Sequence, residues 1–165
     1  MKIKDLSMYG SHIPFLVKAI EKTHGPILDL GMGLSTVVMH MMCKDRHRQI
    51  TSIEADKDWF EAHLQYQTDW HRIMLVDDWK DAPLEKTHWA LVMVDHAPAK
   101  QRIKEIKRLT QNADIVLIHD SEPDSNKYFK YSWIYPLFKY RYDYTKCTPN
   151  TTALSNTIDV AKLFS

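Results

Sequence analysis

Glycine is the residue that this chain most conspicuously lacks. Only four of its 165 residues are glycine, about 2% against an average usage of about 7%. All four lie within the first 33 residues, as Gly10, Gly25, Gly31 and Gly33. So low a count excludes flexible glycine-serine linkers and glycine-rich low-complexity tracts. Two glycines separated by one residue therefore indicate a turn whose backbone requires them.

Cysteine and long apolar runs are also scarce. The chain has two cysteines, Cys43 and Cys147, with no Cys-x-x-Cys spacing. This excludes a disulfide framework and is typical of a reduced cytosolic chain, with one Cys43–Cys147 disulfide as a minor alternative. No apolar run approaches the roughly 20 residues that span a bilayer, and the first residues lack the apolar core of a secretory signal. We expect a cytoplasmic protein.

Neither sign of charge is in excess. There are 22 Lys and Arg against 21 Asp and Glu, a formal net charge of +1. Bulk charge therefore cannot drive nucleic-acid binding, which makes nucleic acid an unlikely partner. Hydrophobic residues make up 44% of the chain and charged residues 26%, as in an ordinary globule. The length predicts a single domain over residues 1–165, with residues 1–24 as a leading segment.

Short apolar runs alternate with longer amphipathic segments along most of the chain. This alternation predicts parallel strands joined by right-handed helical crossovers. The residues from 138 to 144 then alternate strictly, and residues 151–156 can return as a second strand. We predict an α/β fold with a doubly wound, mainly parallel seven-stranded sheet, an antiparallel C-terminal hairpin and helices on both faces. The first five strands are predicted at 26–30, 49–53, 72–76, 89–94 and 114–118, and the helices at 14–22, 35–43, 56–67 and 99–109.

Each of the first five strands is followed by, or contains, an acidic residue near its carboxyl end. In a doubly wound sheet, ligands bind in the crevice beyond those ends. Glu54, which lies 21 residues after Gly33, can accept hydrogen bonds from both hydroxyls of a ribose. Gly31 can turn the chain sharply, and Gly33 allows a ligand to approach the backbone. The five acids are Asp29, Glu54, Asp77, Asp95 and Asp120.

These residues resemble the class I S-adenosylmethionine-dependent methyltransferases over nearly the whole chain. The resemblance rests on Ile-Leu-Asp-Leu-Gly-Met-Gly, on Ser-Ile-Glu54 and on Asp77-Asp78. It implies that Asp29 and the glycine turn hold the methionine part of the cofactor, Glu54 the ribose and Asp77 the adenine. Serine replaces the third glycine of the fullest family pattern and can cap the next helix. The residues assigned to S-adenosyl-L-methionine are Asp29, Gly31, Gly33, Ser35, Glu54, Asp77 and Asp78.

Two alternatives share this architecture. A nicotinamide dinucleotide enzyme also requires a glycine turn and an acid about 20 residues later. Its third glycine would fall at Thr36, and its pyrophosphate would face Asp29, so we rank it second. A non-catalytic module that binds S-adenosylmethionine without turnover is the other alternative.

Methyl transfer from a sulfonium is a direct displacement, so alignment supplies most of the catalysis. A general base is needed only where the acceptor must lose a proton. The residues after the fourth and fifth strands are the candidates, namely Asp95, His96, His119 and Asp120. We assign no metal ligand, but a divalent cation on these four residues and Glu122 is an alternative, because they offer oxygen and imidazole donors.

The segment from Tyr128 to Tyr144 is rich in aromatic residues and carries interspersed lysines. We interpret the rings mainly as cover for the sheet edge. A stacking wall for a planar acceptor, a surface for homo-oligomer formation and single-stranded nucleic-acid binding are less favoured readings. Because no inserted domain is predicted, we expect a small-molecule acceptor, a pocket that a partner subunit completes, or cofactor binding without catalysis.

Overall fold

The fold is described from a computed structural model over residues 10–165. Seven strands form one sheet in the order β3-β2-β1-β4-β5-β7-β6. Only β7 runs antiparallel to its neighbours, so the predicted mainly parallel sheet with a closing hairpin is confirmed. The strands are β1 (Ile27–Leu30), β2 (Ile50–Glu54), β3 (His71–Leu75), β4 (Trp89–Val94), β5 (Ala113–His119), β6 (Tyr140–Tyr144) and β7 (Thr151–Ser155).

Helices cover both faces of this sheet, as the alternating pattern predicts. They are α1 (Ile13–Lys22), α2 (Leu34–Cys43), α3 (Lys57–His63), α4 (Arg102–Leu109), α5 (Asn126–Phe129) and α6 (Val160–Phe164). The predicted helices 56–67 and 99–109 are each shorter, because Leu64–Tyr66 and Ala99–Gln101 form 3-10 turns. Every residue of β4 is buried, which explains why this strand is apolar throughout.

The aromatic hairpin completes the core on one face. Tyr142 and Tyr144 lie against Phe15 of α1, and the Phe15 and Tyr144 rings stack with centroids 4.8 Å apart. Phe164 of α6 packs on Phe15 from another side. These contacts account for the alternation along β6, because its tyrosines face the core while Arg141 faces outward. The β6 rings cover the sheet edge, as expected, whereas Tyr128 and Trp133 of the same aromatic segment are 63% and 69% exposed.

Two helices bury faces that differ from the expected ones. On α3, Trp59 is 52% exposed, and the following Leu64 is 45% exposed, although both have helical spacing. On α4, a helix rich in basic residues, Arg102 is only 6% exposed, although a charged side chain of an amphipathic helix is expected to face water. The buried positions of α4 are Arg102, Glu105, Ile106 and Leu109. This face runs along i, i+3, i+4 and i+7 and places two charged side chains, Arg102 and Glu105, in the interior.

Two smaller expectations concern membranes and thiols. In residues 10–165, no helix is both long and apolar enough to cross a membrane. Cys43 and Cys147 are free thiols, so the minor disulfide alternative is not realised.

Candidate functional site

The crevice begins where the carboxyl ends of β1 and β4 lie side by side, the position at which an open α/β sheet binds its ligand. The Asp95 amide donates to the Leu30 carbonyl at 2.9 Å, and the Gly31 amide donates to the Ile53 carbonyl at 3.0 Å. Gly31 has a φ of +96°, and a Cβ there would lie 2.6 Å from the Cα of His96. The loop after β4 therefore passes too close for any residue but glycine at position 31.

Gly33, unlike Gly31, has free space where a side chain would project. Its backbone is extended, with a φ of 175°, and a Cβ added there would meet no protein atom within 4 Å. It precedes the first residue of α2, where backbone amides lack helical partners. A ligand can therefore approach the chain closely at this point.

Asp29 lies beneath the glycine loop, where it is fully buried. Its carboxylate accepts hydrogen bonds from Ser35 Oγ at 3.1 Å, Thr36 Oγ1 at 2.6 Å and Ser52 Oγ at 3.0 Å. Burial raises the pKa of Asp29 to about 6, although the three hydroxyls act in the opposite direction. Asp29 and Ser35 thus fix the loop from below, and their contact with a cofactor stays a prediction.

Glu54 joins the glycine loop to the end of β2. Its Oε2 accepts from the Met32 amide at 2.8 Å, while Oε1 accepts from the amides of Ala55 at 2.7 Å and Asp56 at 3.0 Å. The residue is 6% exposed. Because a carboxylate oxygen can accept two hydrogen bonds, Oε2 keeps one acceptor position for a ligand hydroxyl.

The two acids after β3 lie in different surroundings. Asp77 is exposed. Asp78 caps a short 3-10 turn by accepting from the Lys80 amide at 3.0 Å, and it also pairs with the Lys80 ammonium at 3.2 Å. Trp79 is buried and anchors this loop by donating from Nε1 to the Ala97 carbonyl at 2.8 Å. Asp77 therefore has the freer carboxylate of the two.

A compact charged cluster lies beyond β4 and β5. His119 Nδ1 is 3.2 Å from Asp95 Oδ1 and 3.7 Å from Asp120 Oδ1. Arg102 reaches the same two acids, with Nη2 2.9 Å from Asp95 Oδ1 and Nη1 3.1 Å from Asp120 Oδ2. Three of the four predicted catalytic residues thus come together around an arginine.

Burial and charge act in opposite directions on this cluster. For Asp95, burial favours the neutral acid, but the His119 hydrogen bond and the Arg102 charge outweigh it and hold the pKa below its usual range. For His119, burial disfavours the cation, but Asp95 and Asp120 outweigh it and raise the pKa. The two side chains therefore form an ion pair at the edge of the crevice.

The ring of His96, the fourth predicted catalytic residue, packs against Trp79 and Glu105 instead of joining this cluster. Its side chain is fully buried. Its Nε2 lies 3.3 Å from Glu105 Oε2, and its ring centroid lies 4.0 Å from that of Trp79. This arrangement supports packing beneath the loop, as does the Arg102 Nε donation to the His96 carbonyl at 2.7 Å.

Comparison with known proteins identifies the fold. No protein-family model and no curated protein matches this sequence. Among solved structures, the human methyltransferase 10 domain containing protein is 11% identical with a TM-score of 0.63, over 91% of this chain and 84% of that one. A putative caffeoyl-CoA O-methyltransferase from Staphylococcus aureus is 13% identical with a TM-score of 0.61, over 94% and 92%. This chain has the class I S-adenosylmethionine-dependent methyltransferase fold.

The fold alone does not assign a reaction. Spermidine synthase from Thermotoga maritima shares it at 15% identity and a TM-score of 0.67, over 98% of this chain and 64% of that one. Proteins with this fold are therefore named for different activities. The reaction has to be inferred from the side chains of the site.

Two residues of the methyltransferase-fold site escaped the sequence analysis. Arg102 is one of five basic residues between positions 99 and 109, and nothing in its residue type distinguishes it from the others. Its spacing from Ile106 and Leu109 places it on the buried face of α4. His12 lies near His119, with ring centroids 4.7 Å apart, and burial lowers its pKa to about 4. No local pattern within residues 1–24 singles out His12.

A chain of hydrogen bonds extends from Asp29 to the protein surface. Ser52 Oγ contacts both Asp29 and the Nε2 of His71, the latter at 2.9 Å, and His71 Nδ1 lies 3.0 Å from His40 Nδ1. His71 is fully buried. Burial, and then the nearby His40 and His63, lower the pKa of His71 to about 4.

This depressed pKa predicts a loss of stability in acid. Between pH 6.5 and 4.5 the unfolded chain takes up more of a proton at His71 than the folded chain does, so the free energy of unfolding falls by about 2 kcal/mol through this group. The raised pKa of Asp29 has the opposite effect on the free energy of unfolding. Asp29 is present in both the wild type and the His71→Gln variant. Urea unfolding of the wild type and His71→Gln at both pH values measures the difference. Equal losses in the two proteins would contradict the assignment.

Proposed function

We propose that this chain binds S-adenosylmethionine in the crevice and transfers its methyl group to a small-molecule acceptor. The observation that carries the proposal is the glycine loop at the β1–β4 junction, with the Glu54 carboxylate bonded to the Met32 amide. The solved structure of M. capricolum TrmK in complex with S-adenosyl-homocysteine shares the fold at 10% identity and a TM-score of 0.58, over 87% of this chain and 68% of that one.

The residues present fit such a cofactor. The open space over Gly33 admits a ligand against the backbone. Glu54 Oε2 has an acceptor position for a ribose hydroxyl, and the exposed Asp77 carboxylate can accept from an adenine amino group. The loop from Gly31 to Gly33 would then hold the methionine part, and Asp78 would keep the neighbouring turn in shape.

When bound, the cofactor supplies a methyl group made electrophilic by its sulfonium. The chain's own contribution is to position the acceptor. Asp95, whose side chain is 24% exposed, accepts a hydrogen bond from an acceptor N–H or O–H and aims its lone pair. A carboxylate with a lowered pKa is a weak general base, so this site favours an acceptor that already has a free lone pair.

The space beside Ser121 and Tyr131 suits a small acceptor. A cavity of about 420 Å³ lies between the loop after β5 and the C-terminal hairpin. Ser121, which follows Asp120 directly, lines it together with Tyr131 and Tyr135. Tyr131 also bonds Arg102, whose Nη1 lies 3.3 Å from the Tyr131 hydroxyl. The cavity and the charged cluster therefore share a wall.

The topology favours this proposal over a dinucleotide enzyme. Dinucleotide-binding sheets of the doubly wound type continue in parallel order beyond β5, whereas β7 here pairs antiparallel with β5. The argument that Asp29 would repel the pyrophosphate of a dinucleotide is weaker than the sequence suggested, because the Asp29 carboxylate is buried beneath the loop.

Calorimetric titration tests the proposal. We expect the wild type to bind S-adenosylhomocysteine and not NAD⁺. Glu54→Gln removes the charged acceptor and should weaken S-adenosylhomocysteine binding by about tenfold or more. Glu61→Gln is the matched control, because Glu61 pairs only with Lys57 on the exposed side of α3, and it should bind as the wild type does. Binding of NAD⁺ alone would overturn the proposal, and binding without turnover on any acceptor would favour the non-catalytic module.

A further inference from the structure

The cavity between the loop after β5 and the C-terminal hairpin has an unbalanced charge on its wall. Its volume of about 420 Å³ lies in the range of small-molecule pockets. Three charged side chains line it, namely Glu122, Arg141 and Asp143. Their contacts with one another indicate which kind of molecule the cavity fits.

Arg141 and Asp143 satisfy each other. Arg141 Nε donates to Asp143 Oδ1 at 2.8 Å, and the same carboxylate oxygen accepts from Thr152 Oγ1 at 2.7 Å. The guanidinium carbon of Arg141 lies 3.6 Å from the centroid of the Tyr135 ring. This pair is therefore neutral as a unit, and Arg141 already covers one face of Tyr135.

Glu122 has no such counter-charge. Its Oε1 accepts from the Asn150 amide at 2.9 Å, which joins the loop after β5 to the turn of the hairpin. Its Oε2 is buried and has no hydrogen-bond partner among the residues that the structure describes. Within residues 10–165, Glu122 also forms no ion pair. A buried carboxylate oxygen without a partner is costly, so this one calls for an explanation.

The chemistry of Glu122 defines the missing partner. An ionised carboxylate only accepts hydrogen bonds, so the partner must be a donor. One guanidinium and two carboxylates give the cavity wall a formal charge of −1, and a cationic donor would balance it. Charge-assisted hydrogen bonds are about twice as strong as neutral ones. Because the terminal torsion of a glutamate is broad, the half-buried Glu122 can turn Oε2 towards a ligand in the cavity.

We propose that this cavity binds a small organic amine, which is held by its ammonium group on Glu122. The inference rests on the proposed function in one respect, because it identifies this amine as the class of the methyl acceptor. A protonated nitrogen has no lone pair. The ammonium group therefore anchors the molecule, and a different atom of it receives the methyl group.

NMR titration of the ¹⁵N-labelled full chain tests the site, because amide shifts report both affinity and location. The probes are 2-phenylethylamine, 2-phenylethanol and phenylacetate, which share an apolar part and differ in the charge of the tail. We expect saturable shifts from the amine at the amides of Ser121, Glu122 and Asn150. The alcohol and phenylacetate should bind more weakly by about tenfold or more. Equal affinity for the three probes would overturn the inference.

Glu122→Gln keeps an oxygen for the Asn150 amide and removes the charge, so the loop stays joined to the hairpin. We expect it to weaken binding of 2-phenylethylamine by about tenfold or more. Asp124→Asn is the matched control, because Asp124 is an exposed acid of the same loop, and it should bind the amine as the wild type does. Unchanged amine binding in Glu122→Gln would contradict the site.

A titration of the same samples with S-adenosylhomocysteine separates this inference from the proposed function. Binding of S-adenosylhomocysteine without saturable amine shifts would overturn the inference and leave the proposed function standing. Amine binding that depends on Glu122, in a chain that does not bind S-adenosylhomocysteine, would support the amine site and overturn its assignment to a methyl acceptor.

Discussion

Gly31→Ala is expected to lower the free energy of unfolding by about 3 kcal/mol or more. The substitution forces a side chain onto a backbone with a φ of +96° and places its Cβ 2.6 Å from His96 Cα and 2.7 Å from His96 N. Both contacts are with backbone, so no flexible side chain can move aside, and strain of this kind costs about 1–3 kcal/mol before the clash is added. Urea unfolding measures the change.

Gly33→Ala provides the matched control within the same loop. Its φ of 175° is open to any residue, and its Cβ would meet no protein atom within 4 Å. We expect a stability loss of about 1 kcal/mol or less, from the weaker helix cap, together with S-adenosylhomocysteine binding weakened by about tenfold or more. Equal stability losses in the two variants would contradict the distinct roles assigned to the two glycines.

Arg102→Met is expected to destabilise the protein by about 3–5 kcal/mol. Arg102 is 6% exposed, and its removal leaves the two carboxylates of Asp95 and Asp120 with the His119 imidazole as their one remaining cationic neighbour among the described residues. Breaking a buried ion pair from one side costs this much because the remaining charge stays in a poorly solvated position. The variant also loses the donations to the carbonyls of His96 and Asp95.

Lys104→Met is the control for this change, since it removes a cation of the same helix from an exposed position. Thermal or urea unfolding should show a change within about 0.5 kcal/mol for Lys104→Met. If Arg102→Met were equally mild, the charged cluster beyond β4 and β5 would not be held by Arg102.

Local patterns made much of the fold predictable. β4 was predicted with its observed bounds because a strand covered on both faces is apolar throughout. The glycine turn was predictable because glycine is so scarce elsewhere, and Gly31 proves to be required by contact with His96. Glu54 and Asp95 followed from their positions at strand ends, since all parallel strands bring those ends to one edge.

Long-range contacts account for what the sequence did not reveal. His12 is 107 residues from His119, and no local pattern relates a leading helix to the end of β5. Arg102 broke the rule that charged residues of an amphipathic helix face water, because its partners come from other strands. Trp59 is the opposite case. Its helical spacing with other apolar residues is typical of a buried position, but α3 exposes its ring.

We propose that a cofactor lies over the Gly31–Gly33 loop with its reacting centre towards Asp95. A crystal structure of the full chain with S-adenosylhomocysteine tests this most directly. The account predicts the ribose hydroxyls on Glu54, the adenine beside Asp77 and the sulfur facing the Asp95–His119 pair. Density for the ligand elsewhere on the protein, or a crevice that stays empty at saturating ligand, would contradict it.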